Sequence, residues 1–146
     1  MFDINSVNRS VEMFIFDIYI AILKIEDTSS KFDNVQNLLY SYVHWDSVIR
    51  EFEIIGEASK YLIKDDLFSK KYQVLVDFRN KITHEYFGID QDIVWLIIYN
   101  DLDEIKYLIL KLITNIENNL KIELIESFMQ DNGYLEFVVE KLKKLK

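Results

Sequence analysis

Four side chains in a run of eight are of the types that do acid–base and phosphoryl chemistry. The run is Arg79-Asn80-Lys81-Ile82-Thr83-His84-Glu85-Tyr86: an arginine, four residues, a histidine, one residue and a tyrosine. Arginine presents a fixed fork of donors that matches a phosphate. Histidine titrates near neutrality and serves as base or acid. Asn80 stands one turn before His84 and is expected on the same helical face, where it can orient the imidazole or a substrate. Together these are the parts needed for metal-free RNA cleavage. A base takes the proton of the ribose 2′-OH, the oxygen attacks the adjacent phosphate, and a cation stabilises the charge that develops. DNA lacks that hydroxyl, so the route selects RNA.

The spacing sets a geometric condition. Five residues at about 100° each put Arg79 and His84 roughly 140° apart around an ideal helix. Two copies related by a twofold axis could bring such helices face to face and form a composite cleft, so the expectation is an active dimer. An arginine and a histidine five apart also occur by chance in many helices, where a hydrogen-bonded histidine or a surface arginine is the common outcome.

The elements that must position these residues are helices. Apolar residues recur at steps of three and four along most of the chain. Ser6 is read as the cap of a first helix with Val7, Val11, Phe14, Ile15, Ile18, Ile22 and Ile25 inward, broken at Asp27-Thr28-Ser29-Ser30. A short helix is expected over Asp33 to Val43, with Val35, Leu38, Leu39 and Tyr42 inward. A third, from Trp45 to Ile63, carries the stripe Trp45, Val48, Phe52, Ile55, Ser59 and Leu62. Gly56 and Ala58 beside that stripe would admit a close neighbouring helix, at some cost in helix propensity. Asp65 to Ser69 reads as a loop. The helix bearing the motif is expected from Lys71 to Glu85, with Val74, Leu75, Phe78 and Ile82 on one side, Gly88 ending it and Asp90 capping the next. Gln91 to Ile116 buries Val94, Ile98, Leu102, Ile105, Ile109, Leu112 and Ile116, with a kink or re-capped break at Asn100-Asp101-Leu102-Asp103. Two further amphipathic stretches follow Glu117, separated by the turn Asp131-Asn132-Gly133. The fold class is all-α, an antiparallel helical bundle with extra C-terminal helices.

Composition narrows the function classes. A chain of 146 residues is one domain in size. With 0 Pro and 3 Gly it lacks the punctuation of a β-sandwich or barrel. The 0 Cys exclude disulfides, thiolate metal sites and cysteine nucleophiles. Two histidines, His44 and His84, are too few for a histidine-rich metal site, and His44 reads as structural or solvent-facing. Glu53 and Glu57 stand one turn apart, but no Glu-x-x-His accompanies them, so a di-metal bundle is not expected. No phosphate loop, dinucleotide fingerprint or nucleophile elbow occurs. No metal and no cofactor are called for. The net charge of −8 argues against non-specific nucleic-acid binding. The stretch 60–81, with Lys60, Lys64, Lys70, Lys71, Arg79 and Lys81, is locally basic, and Lys70, Lys71 and Lys81 are the candidate RNA contacts. No basic leader and no membrane-length apolar run is seen, so the expected place is the cytoplasm.

The wider sequence resembles the HepT family, the HEPN-domain ribonuclease toxins. The resemblance rests on Arg79 to Asp90, followed by Ile93-Val94-Trp95 and Asn100-Asp101-Leu102. It rests also on a second block, Arg50-Glu51-Phe52-Glu53-Ile54-Ile55-Gly56-Glu57-Ala58, at the matching distance. It covers roughly residues 6–116 and implies two parts: a HEPN-type bundle over 1–116 and a C-terminal helical extension, 117–146, packing on the same domain. It implies a homodimer with the ribonuclease site at its interface, Arg79 and His84 catalytic and Asn80 the polar residue after the arginine. The chain would be the toxin of a toxin–antitoxin pair, with an MNT-type nucleotidyltransferase antitoxin transferring AMP from ATP to Tyr86. RNA, by family analogy tRNA, would be the substrate. Asp103 stands where the family has proline, and Glu85 where it commonly has glycine. Glu85 puts a negative charge beside the site. Two alternatives remain open: a non-catalytic HEPN subunit that binds a nucleotidyltransferase or a nucleotide, and a plain helical interaction module.

Overall fold

The computed structural model describes residues 9–146, so Ser6 and Val7 lie outside the described residues. The architecture is an all-α helical bundle, with no strand among the described residues. The first helix, α1, spans Val11–Ser29, and the Oγ of Ser10 caps it by accepting from the Met13 amide at 3.2 Å. It does not break at Asp27 but runs two residues past it. Ile15, Phe16, Ile18, Tyr19, Ile20, Ala21, Ile22, Leu23 and Ile25 are all buried, more than one face can supply. A helix apolar nearly all round belongs inside, and α1 is the central rod against which the others pack.

Helix α2 (Val35–Tyr40) is capped by Asn34, whose side-chain oxygen accepts from the Asn37 amide at 3.0 Å. Tyr42 is exposed rather than inward, because α2 stops at Tyr40 and Tyr42 opens the next helix. Helix α3 (Tyr42–Lys64) buries Trp45, Val48, Phe52, Ile55, Ser59 and Leu62 against α1. Its chain turns at Asp66, which adopts a left-handed φ of 59°. The Leu67 and Phe68 amides both return to the Leu62 carbonyl, at 2.8 and 3.1 Å, which seats the buried Phe68 against Tyr72. This knot starts the 3-10 turn Lys70–Tyr72 and then α4 (Gln73–His84).

Helix α4 lies across α3 at Gly56. A Cβ at Gly56 would sit 2.3 Å from the Arg79 Cβ and 2.7 Å from the Leu75 carbonyl oxygen, so the close approach needs glycine. Two expectations for α4 fail. Val74 is exposed, with Leu75 and Ile82 carrying the buried side. The helix ends at His84, four residues before Gly88: Glu85 leaves helical geometry (φ −139°, ψ 50°), and Tyr86–Gly88 forms a separate 3-10 turn.

Asp90 caps α5 (Gln91–Leu96), its carboxylate accepting from the Asp92 amide at 2.9 Å. A wide π turn, Ile97–Asp101, joins α5 to α6 (Leu102–Thr114), with the Leu102 amide returning to the Ile97 carbonyl. The irregularity expected around Asn100 is therefore one surplus residue inside a continuous helix. Beyond it Ile105, Ile109 and Ile113 are buried, while Leu112 and Ile116 are only half-buried. Helices α7 (Asn118–Asp131) and α8 (Glu136–Lys143) fold back on the bundle. Phe128 of α7 stacks on Phe16 of α1 with ring centres 5.3 Å apart, and Leu124, Ile125, Val138 and Leu142 join the same apolar cluster. Among the described residues no helix is long and apolar enough to cross a membrane.

Candidate active site

The motif occupies the second half of α4 and the turn after it. Arg79 follows from the helix crossing: its Cβ rests over Gly56, so its side chain leaves along the exposed edge of α3. There Nη2 lies 3.4 Å from Glu57 Oε2, and Nη1 donates to Asn80 Oδ1 at 3.2 Å. Glu57 also meets the Lys60 ammonium at 3.3 Å. The Arg79 side chain remains 35% exposed. A loose, half-wet ion pair of this kind holds a side chain weakly. Asn80 meets the guanidinium rather than the imidazole that its spacing suggested.

His84 is the last residue of α4 and is exposed. Its ring makes no hydrogen bond among the described residues, nor does any bond or ion pair join it to Arg79. Within one copy the two side chains are not bonded to one another, in keeping with the helical angle. Neither is in the hydrocarbon interior.

Arg79 lines an open cleft between α1, α3 and α4 together with Arg9, Arg50, Asp17, Glu53 and Glu57. Arg50, Glu53 and Glu57 follow one another at steps of three and four, one face of α3. Arg9 is held by Asp17 at 2.5 Å. Burial pushes the Asp17 carboxyl above its ordinary range, against the pull of Arg9. The two other arginines of this cleft were missed as site residues. The Arg50 periodicity was there to read, whereas Arg9 comes from another helix end.

Tyr86 sits in the 3-10 turn directly after the motif helix and is 39% exposed. Its hydroxyl donates to Asp46 Oδ1 on α3, a contact across 40 residues of sequence. The phenol is pushed up to about 12, by desolvation first, then by the hydrogen bond and charge of Asp46, and last by the charge of Glu53. Phe87 meets the Tyr86 ring edge-on at 5.5 Å and is fully exposed. Leu39, Trp45 and Ile89 complete a shallow pocket around Asp46, Tyr86 and Phe87. Tyr42 and Val43, one turn before Asp46, are exposed as well.

The three lysines do not gather at His84. Lys81 is exposed on α4. Lys70 and Lys71 precede α4, and thirteen residues at 1.5 Å each put Lys71 roughly 20 Å from His84 along the helix. Lys71 is also engaged, 2.8 Å from Glu104 on α6. His44 is half-buried, its Nδ1 2.6 Å from Ser41 Oγ and its ring edge-on to Phe32, which fits a structural role. No group of three or more His, Asp or Glu among the described residues is placed to hold a metal ion.

Residues 18–112 match the family model described as "Ribonuclease HepT-like". "Putative RNase MJ1380" of Methanocaldococcus jannaschii is 33% identical over 103 residues, 67% of this chain and 92% of the relative. "Putative RNase MJ0125" of the same organism is 31% identical over 114 residues, covering 75% and 96%. "Probable ribonuclease HepT" of Thermococcus cleftensis is 35% identical over 65 residues, covering 41% and 57%. No solved structure matches the chain.

Proposed function

The chain belongs to the ribonuclease HepT-like family, and from that premise we propose that it is a metal-independent endoribonuclease, the toxin of a toxin–antitoxin pair. The observation that carries the reading is the placement of the motif. Arg79 and His84 are both solvent-accessible on one short helix whose close seat on Gly56 fixes where they stand. His84 takes the 2′-OH proton of the ribose, and the oxygen attacks the adjacent phosphorus. Arg79 meets the charge that builds on the phosphoryl oxygens, and the 5′ oxygen leaves with a proton. Because the two side chains do not meet within one copy, the working site is composite. A twofold partner supplies the second Arg79 and His84, and a second imidazole is then available to protonate the leaving oxygen. An apolar surface supports this: Phe87 is exposed directly after the motif, Tyr42 and Val43 are exposed one turn before Asp46, the partner of Tyr86, and an apolar patch of that kind marks an interface.

On the same reading Tyr86 is the switch. An MNT-type nucleotidyltransferase transfers AMP from ATP to its hydroxyl. The added phosphate charge and bulk beside His84 then repel and block RNA, in the cytoplasm where both partners would act.

One observation favours a second reading, a non-catalytic subunit that binds the nucleotidyltransferase or a nucleotide. Both terminal nitrogens of Arg79 are already engaged, by Glu57 and Asn80. The exposed 3.4 Å pair yields easily to a phosphate, which offers a stronger bidentate match. The deciding experiment is cleavage of RNA, tRNA first, by the purified unmodified chain in excess chelator. Cleavage is expected, and intact RNA selects the second reading.

A further inference from the structure

Two of the nine tyrosines place the phenol against a carboxylate: Tyr86 on Asp46, and Tyr72 on Glu104 at 2.9 Å. The two are not equivalent. Tyr72 is buried. Its Glu104 also accepts from Lys71 at 2.8 Å, and these donors hold the Glu104 carboxyl below its ordinary range. A carboxylate so occupied is a poor proton acceptor. Tyr86 is accessible, and Asp46 forms no ion pair among the described residues. The more exposed Tyr40, Tyr42, Tyr99, Tyr107 and Tyr134 have no carboxylate on their hydroxyls among the described residues. Among the described residues, Tyr86 alone joins access with a base of its own.

Resting on the reading that Tyr86 accepts AMP, we propose that this chain itself supplies the base for that transfer, the Asp46 carboxylate. As the Tyr86 oxygen bonds to the α-phosphorus of a nucleoside triphosphate, its O–H bond breaks and the proton passes to Asp46 Oδ1. The bond from the α-phosphorus to pyrophosphate breaks, and pyrophosphate leaves with the electron pair. The product is a tyrosyl phosphodiester. The protonated Asp46, a carboxyl at the surface, then releases its proton to water.

The chemistry needs such a group. With the phenol near 12, only about one Tyr86 in 100,000 is ionised at pH 7. A nucleophile that cannot ionise beforehand must lose its proton during the attack, to a base within hydrogen-bond reach. Asp46 and Glu53, both on α3, are the charged groups whose fields act on the phenol. Only Asp46 touches it.

The test is the rate of AMP addition, followed by intact mass, with an MNT-type nucleotidyltransferase and ATP at pH 6 to 9. Asp46→Asn keeps an acceptor for the phenol's hydrogen bond, so the turn keeps its anchor, but it cannot take the proton. Its rate at pH 7 is expected to fall on the order of 100-fold and to climb tenfold per pH unit, because only preformed phenolate reacts. Asp46→Glu recovers part of the rate. A purely structural contact would leave the slope with pH unchanged. An Asn variant with the wild-type rate and profile overturns the proposal and assigns the base to the partner enzyme. A wild-type chain that gains no mass, or a Tyr86→Phe chain that still gains it, overturns the underlying acceptor reading and this proposal with it.

Discussion

The Cβ of Arg79 occupies the space that a side chain at Gly56 would need. The residue expected to meet the scissile phosphate is thus positioned by a missing methyl group on the facing helix. Gly56→Ala should gain up to ~1 kcal/mol in helix propensity and lose about 1–3 kcal/mol to overpacking, since one clashing atom is a backbone carbonyl. The clash wins. A lower melting temperature and a loss of cleavage are expected together, and calorimetry beside an RNA assay checks both.

Arg79→Ala and His84→Ala should each reduce cleavage by about 100-fold or more. Both side chains are at the surface, so melting temperatures should stay close to the wild type's. Arg79→Lys should restore little, because a point charge cannot match a phosphate bidentately as a planar fork does. Single-turnover rates with thermal melts measure this, and full activity in either alanine variant would discard the catalytic assignment.

Phe87 touches little of its own chain and is fully exposed. If it is the anchor of a twofold interface, Phe87→Ser should leave the fold intact and weaken both dimerisation and cleavage, in parallel as concentration is varied. Sedimentation and activity across a dilution series give the answer. A variant that stays dimeric at all concentrations would place the interface elsewhere.

Arg50 shares the cleft with Arg79 and forms no ion pair among the described residues. If the cleft carries RNA, Arg50→Ala should raise KM more than it lowers kcat, and the slope of log affinity against log salt should fall by about one phosphate contact. Titrations at several salt concentrations test it.

Glu51 is a buried carboxylate of α3, its pKa raised by burial against the weaker pull of Lys24 and Arg50. A raised folded pKa favours the protonated form. Its contribution to stability is therefore complete below the unfolded value of 4.5 and is lost as pH rises through the higher folded value. Glu51→Gln should accordingly melt a few degrees above the wild type at pH 7, with the gap closing towards pH 4. Paired melting curves at the two pH values would show it.

Sequence periodicity carried the helices well where their contacts were regular. The stripe from Trp45 to Leu62 is buried, Asp90 caps α5, and the break read at Asn100 to Asp103 lies where the π turn occurs. It failed where tertiary contacts set the outcome. Glu85 and Tyr86 contain no helix breaker, yet α4 stops there and the Tyr86 hydroxyl reaches Asp46 on another helix. No local signal could reveal that bond. The same holds for Lys71, which reads as a free cation until Glu104, 33 residues on, is seen beside it. The types and spacing of Arg79 and His84 were legible, as was the small residue that admits α4. Which neighbours would hold Arg79 was not.

The wide turn at Ile97–Asp101 governs how the continuous helix from α5 into α6 tolerates a change in length. It already stores one spare residue. Excising a single residue between Tyr99 and Asp101 would let ordinary turns carry α5 into α6 with the oily sides still aligned. The same excision in the middle of α3 would swing everything downstream by about 100°. The loss of one residue is thus forgiven at one spot on this scaffold, which begins thirteen residues past the histidine that ends α4.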